Sequence, residues 1–205
     1  MHPNSPSTNR STRPRCAWAT TDLLAEYHDE EWGRPPTTDA GWLEMIILET
    51  FQAGLSWRVV LEKRQAMREA FGQFHPHRVA ELTDEDVEHL LANPRLIRNR
   101  RKIKAAIANA RIAQRLVREA GSLSHFFAEL KQLSEETVYD QLQTTFVGVG
   151  PVTARSIAYA TGLVTPPHEE GCWLASTVTD ALRVEQQGDG VQSSQPDDDV
   201  DDAAQ

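Results

Sequence analysis

The sequence predicts an all-α protein, and three observations lead to that prediction. Between residues 16 and 184, apolar side chains recur at intervals of three and four, which is the spacing of a helix with one buried face. Serine, threonine or aspartate precedes most of these stretches, as is typical of helix N-termini. No segment shows the alternation of apolar and polar residues that indicates a half-buried strand.

The first strongly predicted helix follows Thr38 or Asp39 and runs through GWLEMIILETFQAG. Its apolar residues fall on all sides of the helix, so we expect it at the centre of the core. The next helix is predicted to begin after Ser56, which can cap its N-terminus. Apolar residues keep helical spacing in the following stretch: Val60, Met67, Phe71 and Phe74.

Thr83, with Asp86 three residues later, resembles a capping box at the start of another helix. Pro94 then interrupts the chain, because proline cannot continue a helix. A long helix follows and is expected to end near Gly121. Its apolar positions are Ile103, Ile107, Ala110 and Val117. Two shorter helices are predicted to open at Ser122 and Ser134.

A glycine-rich connection, FVGVGPVTA, follows the last of these helices. Gly148 and Gly150 flank one apolar residue, which allows a tight turn and leaves backbone N–H groups uncovered. Pro151 suits the first turn of a new helix, whose N-terminus attracts anions. The spacing indicates a helix-hairpin-helix over about residues 138–162, a unit that binds a DNA phosphate without reading sequence. An ordinary turn between two helices is the alternative.

The net charge of −9 is distributed unevenly. Residues 1–15 carry +3 and are predicted to form a disordered basic arm, whereas residues 185–205 carry −7 and are predicted to form a disordered acidic tail. Residues 16–184, the predicted helical domain, carry the remaining −5. Within it, residues 95–118 contain nine basic residues and no acid, so a local basic face can attract a polyanion. A solvated helix face is the alternative.

Two function classes are excluded by composition. The longest purely apolar run is four residues, 45–48, whereas a membrane span needs about 20, so no membrane partner is expected. The N-terminus lacks the apolar segment of a secretory signal. Only two cysteines occur, Cys16 and Cys172, which are too few for a disulfide scaffold and fit a reducing compartment.

Those two cysteines belong to a set of four possible metal ligands: Cys16, His28, His168 and Cys172. His168 and Cys172 lie four residues apart and would face one metal from a helical turn. Two cysteines and two histidines suit a tetrahedral zinc site, which would join the two ends of the domain. The alternative is two buried thiols and two solvated histidines.

Glu49 stands inside the apolar stretch MIILETF, where a carboxylate is costly unless it is paired. It is either a pocket acid that contacts a ligand, or it pairs with an arginine of the basic stretch or faces solvent. Trp57 follows eight residues later, and Trp18, Tyr27 and Trp32 precede it. Aromatic rings near a buried acid suit a planar base. A place in the hydrophobic core is the alternative for these rings.

Together these motifs resemble the DNA-3-methyladenine glycosylase I family. The similarity spans about residues 15–173 and rests on these segments: RCAW (15–18), YHDEEWG (27–33), LEMIILETFQAGLSW (43–57), LIRNRRKIKAAIANAR (96–111), FVG (146–148) and GLV…HEEGC (162–172). The resemblance implies an all-α fold of the helix-hairpin-helix superfamily and an enzyme of base excision repair that hydrolyses the N-glycosidic bond of 3-methyladenine in double-stranded DNA. It further implies a monofunctional, monomeric enzyme without lyase activity, located in the bacterial cytoplasm and associated with the nucleoid through DNA binding.

Carried over position by position, the resemblance implies that Glu49 contacts the base, Trp57 stacks on it, and Tyr27 and Trp18 complete the pocket. It implies a structural zinc ion bound by Cys16, His28, His168 and Cys172. Residues 53–55 match the segment that approaches the gap in the DNA, with Leu55 as the contact. The other predicted DNA contacts are Gly148, Gly150, Arg98, Arg100 and Arg101.

The sequence departs from the family pattern at several positions. Leu24 replaces a second pocket tyrosine, the hairpin is two residues longer, and residues 165–167 replace the usual Asn-Asp before the metal histidine. These departures leave the substrate range open. The alternatives are therefore a glycosylase of the same fold for another damaged base and a non-catalytic helix-hairpin-helix module that binds DNA.

Overall fold

The computed structural model describes residues 13–175, and this part of the chain consists of helices and loops without a strand. Nine α-helices lie within it: α1 (Asp22–Glu30), α2 (Asp39–Gln52), α3 (Trp57–Ala70), α4 (Pro76–Ala80), α5 (Asp84–Ala92), α6 (Arg100–Ala120), α7 (Leu123–Leu130), α8 (Glu135–Thr145) and α9 (Pro151–Ala160). The predicted all-α fold is confirmed. None of the described helices is long and apolar enough to cross a membrane. Most of the basic arm, the end of the predicted domain and the acidic tail lie outside the described residues.

The helix starts follow the predicted capping residues. Five side chains each accept a hydrogen bond from a backbone N–H in the first turn of the helix they precede: Thr38, Ser56, Thr83, Ser122 and Ser134. Thr83 and Asp86 form both hydrogen bonds of the capping box. The long helix α6 ends at Gly121, as predicted.

The stretch after Ser56 differs from the prediction because its helix ends early. α3 stops at Ala70, and a short 3₁₀ helix, Gly72–Phe74, follows. Gln73 and Phe74 adopt left-handed backbone angles, with φ of 59° and 55°. Phe71 and Phe74 are nevertheless fully buried, with their rings stacked 6.0 Å apart. Their spacing therefore reflects a turn that inserts both rings into the core, and not one continuous helix.

Helix α2 lies at the centre of the core, as predicted. Every residue from Trp42 to Phe51 is buried, and the helix packs against α3, α6, α7 and α9. A helix surrounded by other elements on all sides needs apolar residues on all sides, which explains its lack of a polar face. The two carboxylates within this buried stretch, Glu44 and Glu49, consequently require separate explanations.

The two ends of the described chain meet. After α9 the chain turns at Gly162, whose backbone approaches Gly33 so closely that a Cβ would lie 2.3 Å from its carbonyl oxygen. The chain then returns to the N-terminal segment, where the backbone N–H of Trp173 donates to the carbonyl of Pro14. This closure places the loop at residues 163–172 beside α1.

Candidate functional site

The four predicted metal ligands converge at this closure. Their ligand atoms all lie within 4.8 Å of one another, although the chain positions span more than 150 residues. Cys172 Sγ lies 3.4 Å from His28 Nε2 and 3.6 Å from His168 Nδ1, and Cys16 Sγ lies 3.6 Å from the same His168 nitrogen. Both thiols are buried, as the alternative of two buried thiols and two solvated histidines expected, but its prediction for the histidines is wrong, because His28 is fully buried and all four side chains form one cluster.

The donor set fits a tetrahedral metal ion. At bond lengths of about 2.0–2.3 Å, nitrogen and sulfur ligands of zinc lie about 3.5 Å apart, which agrees with the distances of 3.4–3.6 Å in the cluster. Burial raises the pKa of the Cys16 thiol to about 11. A metal ion would therefore displace a proton from this sulfur, and metal binding would depend on pH.

His28 is oriented by a neighbouring carboxylate. Its Nδ1 lies 2.9 Å from Asp29 Oδ1 and donates to it, so the Nε2 lone pair faces Cys172. Burial would raise the pKa of Asp29, but hydrogen bonds from Arg15, His28 and Trp173 outweigh it and hold the pKa well below its usual range. A carboxylate behind a ligating histidine is typical of metal sites. Sequence reasoning missed this role of Asp29, although it directly follows His28.

One geometric expectation for the cluster is wrong. His168 and Cys172 do not lie on a helical turn, because residues 165–169 have no regular structure and the following turn comprises residues 170 and 171. The Cys172 N–H donates to the carbonyl of Glu169 in this turn. The two ligands face one point because the loop bends around Gly171, whose φ is 84°.

A cavity of about 670 Å³ opens next to the cluster. Its lining residues come from α1 and the turn after it, from α2, the start of α3 and α9, and from the segments before α1 and α3. They are Trp18, Thr20, Leu24, Tyr27, Trp32, Glu49, Gln52, Ser56, Trp57, Arg58, Ser156 and Tyr159. All the residues predicted to form the base pocket are among them. The volume lies in the range of small-molecule sites. Five of the twelve lining residues are aromatic and six are polar or charged, so the cavity combines ring surfaces with hydrogen-bonding groups.

Glu49 is the acid of this cavity. Its residue is only 5% exposed, and within residues 13–175 it forms no hydrogen bond or ion pair. Burial raises the pKa of its carboxyl group to about 8. The alternatives of a pairing with the basic stretch and of a solvent-facing position are both wrong. A buried carboxyl without a protein partner indicates a group that meets a ligand.

Glu44, one and a half turns earlier on α2, has the opposite environment. Its carboxylate accepts hydrogen bonds from Arg64 and Arg68, each with a distance of 2.7 Å, and Arg64 also pairs with Glu31. This carboxylate is fully compensated by α3. The structure therefore separates two buried glutamates of the same helix into an ion-paired one and an unpaired one.

Two more polar atoms at the cavity have no partner. The Tyr27 hydroxyl and the Trp57 indole N–H are buried and unbonded among the described residues, which is rare for buried polar groups in proteins. Burial, together with the nearby Glu49 charge, raises the pKa of the Tyr27 hydroxyl. The two rings meet at 5.0 Å with an angle of 62° between their planes. Three unsatisfied polar groups in one aromatic cavity are a pattern that a planar, polar ligand would complete.

Aromatic rings that line the cavity also pack against the histidines of the Cys/His cluster. Trp32 lies 4.8 Å from the ring of His168 and 5.8 Å from that of His28, and Trp18 packs 5.1 Å from Trp32. Tyr27 and His28 are consecutive residues of α1, so one turn of this helix supplies both the cavity and the cluster. Two rings that line the cavity, those of Trp18 and Trp32, therefore pack against histidines of the cluster.

Two loops adjoin elements that line the cavity, one between Gln52 and Ser56 and one before α9. The first is the turn at residues 53–55, where Leu55 is 37% exposed. The second is the connection at residues 146–150 between α8 and α9, which we call the hairpin. Gly148 in this hairpin has a φ of 79°. The first turn of α9 has no side-chain cap, which leaves its backbone N–H groups available to an anion. Val147 belongs to this loop, and its side chain is exposed.

The basic stretch divides into paired and unpaired side chains. Arg98 and Arg101 are exposed and form no ion pair within residues 13–175. Arg100 pairs with Glu88 of the neighbouring helix α5, and Lys104 pairs with Asp84. Residues 95–118 contain no acid, but in the folded protein some of their cations pair with acidic side chains of α5. Fewer cations of this stretch are therefore available to bind DNA.

Two polar residues of α6 were missed by sequence reasoning. Lys102 donates to two carbonyls at the end of α2, those of Phe51 and Ala53. Asn109 is completely buried and exchanges two hydrogen bonds with the backbone of Val147. Asn109 interrupts the apolar spacing of α6, and that interruption was the available signal.

Comparison with known proteins agrees with this geometry. The chain matches the family described as methyladenine glycosylase over residues 18–145, which is more than half of its length. The chain belongs to the methyladenine glycosylase family. DNA-3-methyladenine glycosylase 1 of Escherichia coli strain K12 is 51% identical over 98 residues, covering 47% of this chain and 52% of the relative. The aligned segment thus spans about half the length of this curated relative.

Solved structures of similar proteins cover more of this family member. A crystal structure of 3-methyladenine DNA glycosylase I superposes with a TM-score of 0.69 at 37% identity, covering 78% of this chain and 98% of that one. A structure described as the basis of 3-methyladenine recognition by the Staphylococcus aureus enzyme superposes with a TM-score of 0.69 at 28% identity, covering 78% and 95%. The helical architecture is therefore the one found in structures of this family.

Proposed function

We propose that this protein is a base excision repair glycosylase that hydrolyses the N-glycosidic bond of 3-methyladenine in alkylated double-stranded DNA. The observation that supports it best is the unpaired Glu49 carboxyl in a cavity lined by aromatic rings. The similar proteins described above are 3-methyladenine glycosylases. A cavity of this kind accommodates a base that has rotated out of the duplex, which is how such enzymes reach their substrate.

The chemistry of the substrate explains why so few groups are needed. Methylation at N3 makes adenine cationic, which weakens the bond to the sugar. The enzyme then needs mainly to hold the departing base more tightly as the bond breaks. The cavity offers aromatic surfaces for stacking, and Glu49 offers oxygen atoms that accept hydrogen bonds from the base. Stacking contributes about 1–3 kcal/mol per base, and a hydrogen bond to a charged group about 1.5–3 kcal/mol.

The protonation of Glu49 favours a cationic ligand over a neutral one. Burial raises the pKa of its carboxyl group to about 8, so this group is mostly protonated near pH 7. A cation stabilises the ionised form, and each pKa unit corresponds to about 1.4 kcal/mol. The ionised carboxylate then compensates the charge of the methylated base. Unmodified adenine is neutral, so it does not offset the free-energy cost of ionising the buried Glu49 carboxyl group.

The composition of the cavity supports a hydrolase without lyase activity. A lyase would need an amine that forms a Schiff base with the sugar, and no lysine lines the cavity within residues 13–175. No aspartate lines it either, so Glu49 is the one carboxylate available there. Glu169, which the sequence places near the cluster, accepts a hydrogen bond from the Ala17 N–H and is not a cavity residue.

We further propose that the cluster of Cys16, His28, His168 and Cys172 holds a structural zinc ion. Such an ion supplies cross-linking of the chain ends and not catalysis, because four protein ligands leave no open position for water. The distances and the carboxylate behind His28 support this proposal. The four residues would hold the segment that carries Trp18 against the loop after α9.

The proposed DNA contacts come from three segments of the chain. They comprise Leu55 of the turn at residues 53–55, Gly148 and Gly150 of the hairpin, and the exposed cations Arg98 and Arg101. Arg100 contributes less, because its guanidinium is paired with Glu88. This arrangement suits a monomer that binds the duplex backbone and inserts one apolar side chain.

A glycosylase for a different damaged base is the second candidate, and Leu24 favours it. This side chain lines the cavity at the position where the family has a second tyrosine, so one surface is smaller and more apolar than expected. A non-catalytic DNA-binding module is less well supported, because it has no use for an unpaired acid in an aromatic cavity.

The test is the release of free base from alkylated duplex DNA. Purified protein should release 3-methyladenine, detected by chromatography, and should leave the strand intact. Release of 7-methylguanine or 1,N6-ethenoadenine in preference to 3-methyladenine would favour the second candidate. No release of any base, with DNA binding retained, would favour the non-catalytic module. Strand cleavage without alkaline treatment would contradict the absence of lyase activity.

A further inference from the structure

Helix α6 contacts two loops, the turn at residues 53–55 and the hairpin at residues 146–150, through side chains on a single face. Lys102, Ala105 and Asn109 follow the spacing of one helical face, and the outer two are seven residues, or about 10 Å, apart. Lys102 reaches the turn at residues 53–55, and Asn109 reaches the hairpin. Neither residue lines the cavity. Both are polar groups whose hydrogen bonds hold backbone rather than ligand.

Lys102 is hydrogen-bonded to the backbone at the start of the turn at residues 53–55. Its ammonium donates to the carbonyls of Phe51 at 2.7 Å and Ala53 at 2.6 Å, which are carbonyls that the end of α2 leaves without helical partners. A cation at this position also complements the negative end of the α2 dipole. Gln52 closes the turn from its other side, since its side-chain amide donates to the Leu55 carbonyl at 3.0 Å.

Asn109 holds the hairpin in an equivalent way. Its Nδ2 donates to the Val147 carbonyl at 3.1 Å, and its Oδ1 accepts from the Val147 N–H at 2.7 Å. Ala105, one turn earlier, lies against Gly148, and a Cβ on this glycine would sit 3.5 Å from the Ala105 Cβ. The hairpin therefore rests on a small residue and is fixed by one buried amide.

We propose that Lys102 and Asn109 are positioning residues that set the distance between the turn at residues 53–55 and the hairpin, so that both engage one duplex while the base enters the cavity. This inference rests on the proposed function. It also removes Lys102 from the phosphate-binding surface, because its ammonium is directed at protein carbonyls. A rigid spacing matters because misplacing a binding element by about 1 Å can cost up to about a hundredfold in rate.

The experiment compares excision from duplex with excision from single-stranded methylated DNA. Single strands present no gap for the turn to fill, so only the duplex reaction needs both loops at a fixed distance. Lys102→Met should lower duplex excision by about tenfold while leaving single-strand excision and affinity for free 3-methyladenine within about twofold of wild type. Asn109→Leu, which keeps the side-chain size, should act in the same direction.

Lys63→Met is the matched control. The Lys63 ammonium also donates to two backbone carbonyls, those of Pro94 and Arg95, but away from both loops. This variant should leave the ratio of duplex to single-strand excision unchanged. A second readout is the slope of duplex affinity against salt, which Lys102→Met should not change, because no phosphate contact is lost.

Three results would overturn the inference. Equal loss of duplex excision, single-strand excision and free-base affinity would show a merely structural role. An unchanged ratio in both variants would show that the loops need no fixed spacing, and a reduced salt slope in Lys102→Met would make Lys102 a phosphate contact. Wild-type protein that releases no base from either DNA would instead overturn the proposed function, and the positioning role with it.

Discussion

At the scale of single residues, two glutamates of one helix differ because of what packs against them. Glu44 meets two arginines of α3, whereas Glu49 meets a cavity and the rings of Tyr27 and Trp57. The ion pairs of Glu44 compensate its charge and connect α2 to α3. Glu49 has no such partner, so its carboxyl group can bind a ligand. The two positions therefore make a matched pair for testing where the chemistry lies.

Glu49→Gln is expected to reduce excision of 3-methyladenine by at least about tenfold, because one charge-assisted contact of about 1.5–3 kcal/mol is lost. Gln keeps the shape of the side chain but directs an NH₂ group at the donors of the base. The measurement is single-turnover release of base, and affinity for undamaged DNA should be unchanged. Glu44→Gln is the control and should lower the melting temperature while retaining the excision rate. The reverse pattern would place the active acid on the other face of α2.

Glu49→Gln is also expected to stabilise the protein, and this stabilisation should increase as the pH rises. Burial holds the pKa of native Glu49 at about 8, above the ordinary value of 4.5. Between these values the unfolded chain has lost a proton that the native protein keeps, so the free energy of unfolding of wild type falls as pH rises. Gln has no proton to lose. The stability gap between Glu49→Gln and wild type should grow from pH 4.5 to pH 8 by a few kcal/mol, on the order of 1.4 per unit. Urea unfolding measures it, and a gap independent of pH would contradict the environment assigned to Glu49.

At the scale of elements, the hairpin depends on a glycine that both its backbone angle and its neighbours require. Gly148 has a φ of 79°, and a Cβ there would lie 3.3 Å from Thr50 Cγ2 of the central helix. Gly121, which ends α6, has a similar φ of 84° but open space around it. The two glycines thus share a backbone conformation and differ in what surrounds them.

Gly148→Ala and Gly121→Ala should each lose about 1–2 kcal/mol of stability from the left-handed backbone. Only Gly148→Ala should also weaken affinity for duplex DNA, because its methyl group would press against Thr50 of α2 and shift the hairpin. Chemical denaturation and fluorescence anisotropy with a labelled duplex measure the two effects. Equal DNA affinity in both variants would mean that the hairpin does not contact the backbone.

At the scale of the whole molecule, the two ends of the described residues 13–175 meet at the cluster of Cys16, His28, His168 and Cys172. We expect one zinc ion per chain, and its removal by a chelator should lower the melting temperature by several degrees, since the loop that it closes spans most of the protein. Cys172→Ser should act in the same way, whereas Glu170→Gln, an exposed neighbour between the ligands, should be neutral. Elemental analysis and thermal unfolding provide the readouts. Metal-free protein with unchanged stability and activity would rule out a structural zinc site.

DNA binding should depend strongly on salt, with a slope set by the number of phosphates contacted. Arg98→Gln or Arg101→Gln should weaken binding on any sequence and reduce that slope by about one. Arg100→Gln should have a smaller effect, because Glu88 already compensates its charge. Titrations of a labelled duplex at several salt concentrations measure both quantities. Binding that does not change with salt would show that the basic face is not the DNA surface.

Local signals were sufficient for much of the fold. The helix starts at Ser56 and Thr83 and the buried position of α2 were predicted from the sequence, because a cap or a periodicity involves only neighbouring residues. The early end of α3 was not, since Phe71 and Phe74 have helical spacing in sequence but reach the core through a turn. Spacing reports which residues are buried more reliably than the backbone conformation that buries them.

The amino-acid sequence by itself determined which groups are available: two cysteines and two histidines, one acid in an apolar helix, and aromatic residues before and after it. Only the tertiary structure decided which of them meet. It brought Cys16 beside His168, gave arginine partners to Glu44 and left Glu49 without one, and paired Arg100 with a helix whose acids lie elsewhere in sequence. The physical reason is that burial and charge compensation are set by elements distant in the chain, whereas caps and periodicity are set within a few residues.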